Sequence, residues 1–307
     1  MRIICMLVIV LIAPLYSCAN MQPSLPAITD VATGTYQPGK IVWHDLITHT
    51  PEASKRFYGE LFGWEFEDLG IDFGFGRTVN YSLIRHQGEL IGGMIDANHI
   101  GRPNPENLSQ WVVVMSVADL DAAVKAVEDA GGKVLTPPQD VAERGRIALV
   151  EDSQGAALAL LQTRNGDPAD REPAVGDFLW DEVWPVDLDQ AITFYQRVTG
   201  LQPGVYPANR GQQYRYMTDA DKPRFGLLQQ PVEALSPTWV SYVRVQQPES
   251  IAARVTELGG RVLLPVQPRN VGGEVALIAG PSGAGFAIQT WSGKAATALM
   301  QHSGGSI

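Results

Sequence analysis

Cysteine is nearly missing from this 307-residue chain, which has only Cys5 and Cys18, both at its N-terminal end. The rest of the chain can therefore build neither a disulfide framework nor a thiolate metal cluster. Basic charge is also short: 23 Lys and Arg stand against 33 Asp and Glu, a formal charge of −10. A nucleic-acid partner would need a basic stripe to displace counterions from phosphates, so that class is excluded. Histidine is sparse, at His44, His49, His86, His99 and His302, with no cluster at metal-ligand spacing. Only one long apolar run occurs, Ile3 to Leu15, and it is too short to remain as a membrane-spanning helix.

That run follows Met1-Arg2 and leads into Leu15-Tyr16-Ser17-Cys18, the layout of an export signal. It resembles a bacterial lipoprotein signal peptide over residues 1–17, which implies lipidation of Cys18. An ordinary secretory signal, cut at Asn20 after Ser17 and Ala19, is the alternative. The first reading anchors an exported protein to the cell envelope through its lipid alone, and the second leaves it soluble outside the cytoplasm. Residues 18–38 carry Pro23, Pro26 and Pro38 without apolar periodicity and read as a flexible tether reaching roughly 25 Å.

What the chain does contain is a repeat. Trp111 and Trp239 open two stretches that run in parallel without a gap at an offset of 239 − 111 = 128. Gly131-Gly132 falls on Gly259-Gly260, Pro137 on Pro265, Gly145 on Gly273, Gly155 on Gly283 and Ala159 on Ala287. Upstream, Trp43-His44-Asp45-Leu46 with Phe57-Tyr58 and Gly63 matches Trp180-Asp181-Glu182-Val183 with Phe194-Tyr195 and Gly200, at an offset of 180 − 43 = 137. A duplicated two-module unit follows, since repeats of this kind fix architecture before any single residue is read. Each module shows a strand, a helix and further short strands, a β-α-β-β-β grammar of α+β class. Residues 39–164 and 175–293 form the halves, 165–174 a Pro/Gly linker and 294–307 a polar tail.

Trp43-x-Asp45-Leu46, Phe57-Tyr58-x-x-Leu61-Phe62-Gly63-Trp64, Gly131-Gly132 with Pro137, and Asp152-x-x-Gly155 before a last apolar strand together resemble the vicinal oxygen chelate superfamily. This is the group of glyoxalases, bleomycin-resistance proteins and extradiol dioxygenases. The resemblance implies two tandem domains of four modules in all, each pair curling into an open barrel around one cleft. It also implies a divalent metal held by His, Gln or Glu of the first and last strands. Those positions here hold Trp43, Trp180, Val112, Val240, Ala159 and Ala287, none of which is a metal donor. Gln229 is a lone amide, so neither metal nor other cofactor is expected.

Trp43 and Asp45 share a strand face, as do Trp180 and Glu182. If that face lines the cleft, each half offers an indole wall beside one acid. Trp111 and Trp239 open the partner strands, and Tyr81, Tyr214 and Tyr216 lie on strands that reach the same space. Asp45 and Glu182 are the acid-base candidates, since a carboxyl group in apolar surroundings suits that work; the more frequent role of such an acid is to accept backbone hydrogen bonds at a strand end. Phe57-Tyr58 and Phe194-Tyr195 read as core, and His44, on the opposite face from Trp43, as a surface or interface residue. Three function classes stand: a binder of a small aromatic or planar molecule, a metal-independent isomerase-, lyase- or hydroxylase-like enzyme, and a structural envelope protein.

Overall fold

The computed structural model describes residues 25–72, 78–99, 109–207, 213–220, 222–231, 235–269 and 271–291. The expected signal peptide, Cys18 and the tail from residue 292 lie outside them. The first half runs β1 (Ile41–Thr48), α1 (Pro51–Phe62), β2 (Glu65–Asp72), β3 (Thr78–His86), β4 (Glu89–Asp96), β5 (Gln110–Ser116), α2 (Leu120–Asp129), β6 (Lys133–Val141), β7 (Gly145–Glu151) and β8 (Ala157–Thr163). The second repeats the order: β9 (Phe178–Trp184), α3 (Leu188–Thr199), β10 (Gln202–Pro207), β11 (Gln213–Asp219), β12 (Lys222–Leu227), β13 (Thr238–Arg244), α4 (Pro248–Val255), β14 (Arg261–Pro268), β15 (Glu274–Ala279) and β16 (Gly285–Gln289). The four β-α-β-β-β modules of the repeat are therefore present.

Each half is one eight-stranded sheet, ordered β2-β3-β4-β1-β5-β8-β7-β6 and β10-β11-β12-β9-β13-β16-β15-β14. The first strands of the two modules pair antiparallel at the centre, with Asp45 opposite Val112 and Glu182 opposite Val240. The sheet of the first half curls: Ile71 and Val79 of β2 and β3 share one apolar cluster with Leu135 and Ile147 of β6 and β7. Ala159 and Ala287 stand opposite Val114 and Tyr242 in the same parallel register, as the gapless repeat requires.

Helices end where the sequence provides the means. Asp119 and Asp187 accept the backbone N–H of Ala122 and Gln190 at 3.0 and 2.9 Å, capping α2 and α3. Gly63 and Gly200 close α1 and α3 in the left-handed conformation.

The two halves share their helices. Phe57, Tyr58 and Leu61 of α1 pack with Val243, Val255, Ile278 and Phe286 of the second half. Conversely, Ala191, Phe194 and Tyr195 of α3 pack with Leu120, Val127 and Leu158 of the first. The repeated Gly-Gly pairs serve this contact. Gly131 and Gly259 take positive φ, while a Cβ on Gly132 or Gly260 would lie 2.9 and 2.6 Å from the rings of Phe194 and Phe57 across the interface. The Phe-Tyr pairs are thus core, and they belong to the core of the opposite half as much as to their own.

Polar bonds also cross. His44 Nε2 meets Asp181 Oδ1 at 2.9 Å while its ring stacks on Phe178 at 3.7 Å, which makes it the interface residue its strand face implied. His86 meets Asp177 at 2.6 Å, and Arg171 donates to the same carboxylate at 2.6 Å. The linker is fixed rather than loose: Asp167 accepts from Ser116, Thr163 and the Gln37 amide. Asp170 joins Lys40 of the first half to Lys222 and Arg224 of the second.

Residues 25–38 depart from the flexible tether expected of 18–38. Ile28 is buried at 3% exposure within the cleft cluster of the first half. Arg144 Nε donates to the Pro26 carbonyl at 3.2 Å, and Arg85 holds Asp30 through two bonds of 2.8 and 2.9 Å. Backbone N–H groups of Thr33 and Gly34 bond the Asn165 carbonyl. A Pro-rich stretch without periodicity gave no sign of this, because two apolar side chains suffice to seat it. Burying Ile28 contributes about 1.5–3 kcal/mol, and the solvent-facing Asp30–Arg85 pair adds about 0–1 kcal/mol.

The carboxyl groups at the interface set a pH response. Burial raises the Asp170 carboxyl, but Lys40, Arg224 and Lys222 outweigh it and hold the group down at about 2. Asp177 is also lowered, with Arg171 and His86 overcoming burial. A depressed carboxyl contributes fully above its unfolded value and loses that contribution as pH falls through its folded one. The melting temperature is therefore expected to fall as pH drops from about 4 to about 2, and the fall to be shallower in Asp170→Asn and Asp177→Asn; thermal melts across that range check it.

Candidate functional site

In each half the cleft floor is built around the acid that follows the strand tryptophan. In the first, Trp43 Nε1 and the Tyr81 hydroxyl donate to Asp45 Oδ1 at 3.0 and 2.7 Å. Arg144, from the β6–β7 turn, donates to the Tyr81 hydroxyl at 3.1 Å and lies 4.8 Å from the Trp43 ring centroid. The second half repeats this with Glu182. Trp180 Nε1 donates to the Tyr214 hydroxyl at 2.7 Å, and Tyr214 donates to Glu182. Arg269, from the β14–β15 turn, donates to Glu182 and to Gln289 and stands 4.6 Å from the Tyr242 ring. Tyr242 and Trp184 add donors to Glu182 Oε2 at 2.5 and 3.3 Å.

Glu182 has both oxygens engaged, whereas Asp45 accepts both of its bonds through Oδ1. Glu182 is 0% exposed, and a buried charge of this kind is tolerable only when paired and hydrogen-bonded. Burial works against the Arg269 charge, yet Glu182 and the Tyr242 and Tyr214 oxygens outweigh it and raise its pKa. Burial, reinforced by Glu182, pushes the Tyr214 and Tyr242 hydroxyls well up. They remain neutral donors at any physiological pH. Tyr81 is raised in the same way, chiefly by burial.

Two glycines make room for the tyrosines. A Cβ on Gly93 of β4 would stand 1.8 Å from the Tyr81 hydroxyl, and one on Gly226 of β12 would stand 1.8 Å from that of Tyr214. Tyrosines and glycines recur with one offset, 214 − 81 = 133 and 226 − 93 = 133. That shared spacing was the available signal for Gly93 and Gly226, which sequence reasoning missed. Arg144, Arg269 and Tyr242 were missed too. Arg144 plus 128 is Gly272, so the arginines lie off the repeat register, and Val114 is the counterpart of Tyr242; no pattern could have marked them.

Of the remaining sequence candidates, Trp111 and Trp239 face the helices, not the clefts. Trp111 donates to the Tyr58 hydroxyl at 3.1 Å and packs on Trp64, and Trp239 packs on Tyr195 and Phe225. A strand's first residue falls on either face, and here the register puts both on the core side. Tyr216 shares a face with Tyr214 but lies over Gly204 of β10, away from the cavity lining. Trp43 is in its cleft yet only 1% exposed, whereas Trp180 is partly open.

The clefts differ in access. The second opens into a cavity of about 300 Å³ whose walls include Trp180, Tyr206, Tyr214, Trp291 and Arg269. In the first, the corresponding space holds Leu25 and Ile28. Neither floor presents a metal donor set: Glu182 spends its oxygens on an arginine, two tyrosines and an indole, and Trp43, Val112 and Ala159 surround Asp45. Among the described residues no group of three or more His, Cys, Asp or Glu could hold a metal ion. The Arg269 guanidinium on Glu182 is the wrong sign of neighbour for a dication.

The profile of the Glyoxalase/Bleomycin resistance protein/Dioxygenase superfamily matches residues 40–160. A Mycobacterium tuberculosis protein named "Putative glyoxylase CFP32" is 30% identical over 82% of this chain and 95% of its own length. "Anthracycline biosynthesis protein DauV" of a Streptomyces species is 32% identical over 82% of this chain and 94% of its own. Among solved structures, a Mn(II)-bound glyoxalase from Novosphingobium aromaticivorans superposes with a TM-score of 0.56 at 14% identity, covering 83% of each chain.

Gly226→Ala tests the packing of the floor. The added methyl must push Tyr214 off Glu182, which is expected to cost about 1–3 kcal/mol by overpacking, read as a lower denaturation midpoint at unchanged slope.

Proposed function

Because the chain belongs to the Glyoxalase/Bleomycin resistance protein/Dioxygenase superfamily, we propose that its second half binds a small planar or aromatic molecule, without a metal, in the cleft that membership assigns it. The observation that carries this reading is the cavity of about 300 Å³ with Trp180, Tyr206, Tyr214 and Trp291 around the Arg269 guanidinium. Its size lies at the lower end of small-molecule sites, and its aromatic walls are joined by charged groups, Lys40, Asp170, Arg171 and Arg224 among them. Flat ring systems gain from stacking on such walls. The anthracycline in the name of one relative is a planar aromatic compound, the shape this cavity admits.

The enzymatic alternative needs Asp45 or Glu182 as acid or base. A general base must turn a free lone pair toward its substrate, and Glu182 has both oxygens engaged by Tyr214, Arg269, Tyr242 and Trp184. Asp45 Oδ1 is taken by Trp43 and Tyr81. Binding is therefore the stronger reading and catalysis the second.

Titration with 1,4-naphthoquinone, followed by tryptophan fluorescence, is expected to quench the signal saturably. Trp180→Ala should weaken binding by about 10-fold or more with a small change in melting temperature, and Trp180→Phe should restore most of the affinity. Trp43→Ala, at a buried site, should instead cost about 3–5 kcal/mol of stability. About one Mn, Fe, Ni or Zn per half in washed protein, with function lost to chelator, would overturn the metal-free reading.

Export belongs to the same proposal and rests on residues 1–18 of the sequence alone. Cys18→Ser is expected to move the protein from the detergent phase to the aqueous phase. Soluble native protein beginning at Asn20 would establish the ordinary secretory alternative.

A further inference from the structure

The cleft of the first half has the floor of a binding site and an occupant from its own chain. Trp43, Asp45, Tyr81 and Arg144 parallel Trp180, Glu182, Tyr214 and Arg269, with the guanidinium 5.4 Å from the Tyr81 ring centroid in one half and 5.6 Å from the Tyr214 ring centroid in the other. Arg269 bonds its acid directly, whereas Arg144 bonds the tyrosine hydroxyl. Above this floor Ile28 is 3% exposed, Leu25 packs beside it, and the Pro26 carbonyl accepts from Arg144 Nε at 3.2 Å. The second half shows what the strap covers. Leu135 packs in the cluster that contains Ile28, while its repeat counterpart, 135 + 128 = 263, is Leu263 at 44% exposure.

We infer that residues 25–30 are an intramolecular competitor for a second ligand site, and that the strap displays the ligand chemistry this site takes: an apolar body over Trp43 and Tyr81 with a carbonyl oxygen received by Arg144. The inference rests on the binding reading of the second cleft and extends it to ligand class and to access.

The strap is held in a way that permits release. One side chain, Ile28, is fully buried; the Asp30–Arg85 pair faces solvent, with Asp30 at 55% side-chain exposure. Firm backbone attachment begins only at Thr33, whose N–H bonds the Asn165 carbonyl at 3.0 Å. Lifting residues 25–30 therefore leaves residues 33–37, the linker and both cores in place. A closed strap lowers the apparent affinity of the cleft beneath it by the fraction of molecules in which it is open.

The test counts sites on the full chain with 1,4-naphthoquinone as probe. The unaltered protein is expected to bind one equivalent, lost in Trp180→Ala. Ile28→Asp removes the buried apolar side chain of the strap from its cluster with Trp43 and Tyr81 and is expected to bind two equivalents, with one remaining when Trp180→Ala is added. Asp30→Lys breaks only the exposed pair and should show the same second site, weaker than in Ile28→Asp, at least about 10-fold tighter than any second binding in the unaltered chain. A synthetic peptide spanning Leu25 to Val31 should compete for the gained site and not for the original one. Unchanged stoichiometry in both strap variants, or a gained site that the peptide leaves untouched, overturns the inference. Absence of the first equivalent in the unaltered protein would instead count against the second-half reading and leaves the gained site as a separate count.

Discussion

The structure depends on one burial: the helical faces of the two halves are pressed into cores that neither half completes alone. Phe57 and Tyr58 of α1 close against Phe286 of the second half, and Phe194 and Tyr195 of α3 against α2 of the first. Removing this much aromatic and aliphatic surface from water is the largest favourable contribution available to a chain without disulfides in its body. It also dictates where function can lie. With the helical faces committed to each other, each sheet is left its curled inner face for a ligand. Gly132 and Gly260 permit the approach, and the His44–Asp181 and His86–Asp177 contacts fix its register.

In the second cleft, Glu182, Tyr214, Tyr242, Trp184 and Arg269 form one hydrogen-bonded unit. In a low-dielectric floor, a half-satisfied network costs more than an apolar one, so each member requires the others. In the first, Asp45, Trp43, Tyr81 and Arg144 are linked in the same way, but Arg144 Nη2 is buried without a partner among the described residues. Gly93 and Gly226 belong to these networks as much as the side chains do, because the tyrosine hydroxyl occupies the space a Cβ would take. In the second cleft, where a dication would need converging carboxylates and imidazoles, the carboxylate is answered by an arginine. Fold alone does not assign an activity.

Duplication produced two similar clefts, and small differences gave them different access. Half one has Val114 where half two has Tyr242, and residues 25–30 lie over it. Half two has an exposed β14 edge and an open cavity. The contrast lies partly in the floor, where Tyr242 adds a donor to Glu182 and Arg269 bonds that acid directly, and partly in what lies above it.

The sequence by itself determined the repeat, the four modules, the α+β class and the core role of the Phe-Tyr pairs. Periodicity and a gapless offset report local structure, and local structure is duplicated with the residues that encode it. It also placed Trp43 with Asp45 and Trp180 with Glu182, because residues two apart on a strand share a face. It misplaced Trp111 and Trp239, since which face of a strand meets the helices is set by cross-strand register. Only the tertiary structure could bring Arg144 to Tyr81 and Arg269 to Glu182, because they come from turns outside the repeat register. Only it could seat Ile28 in the first cleft: a strap without periodicity is placed by the surface it lands on, and that surface exists only once the sheet has curled.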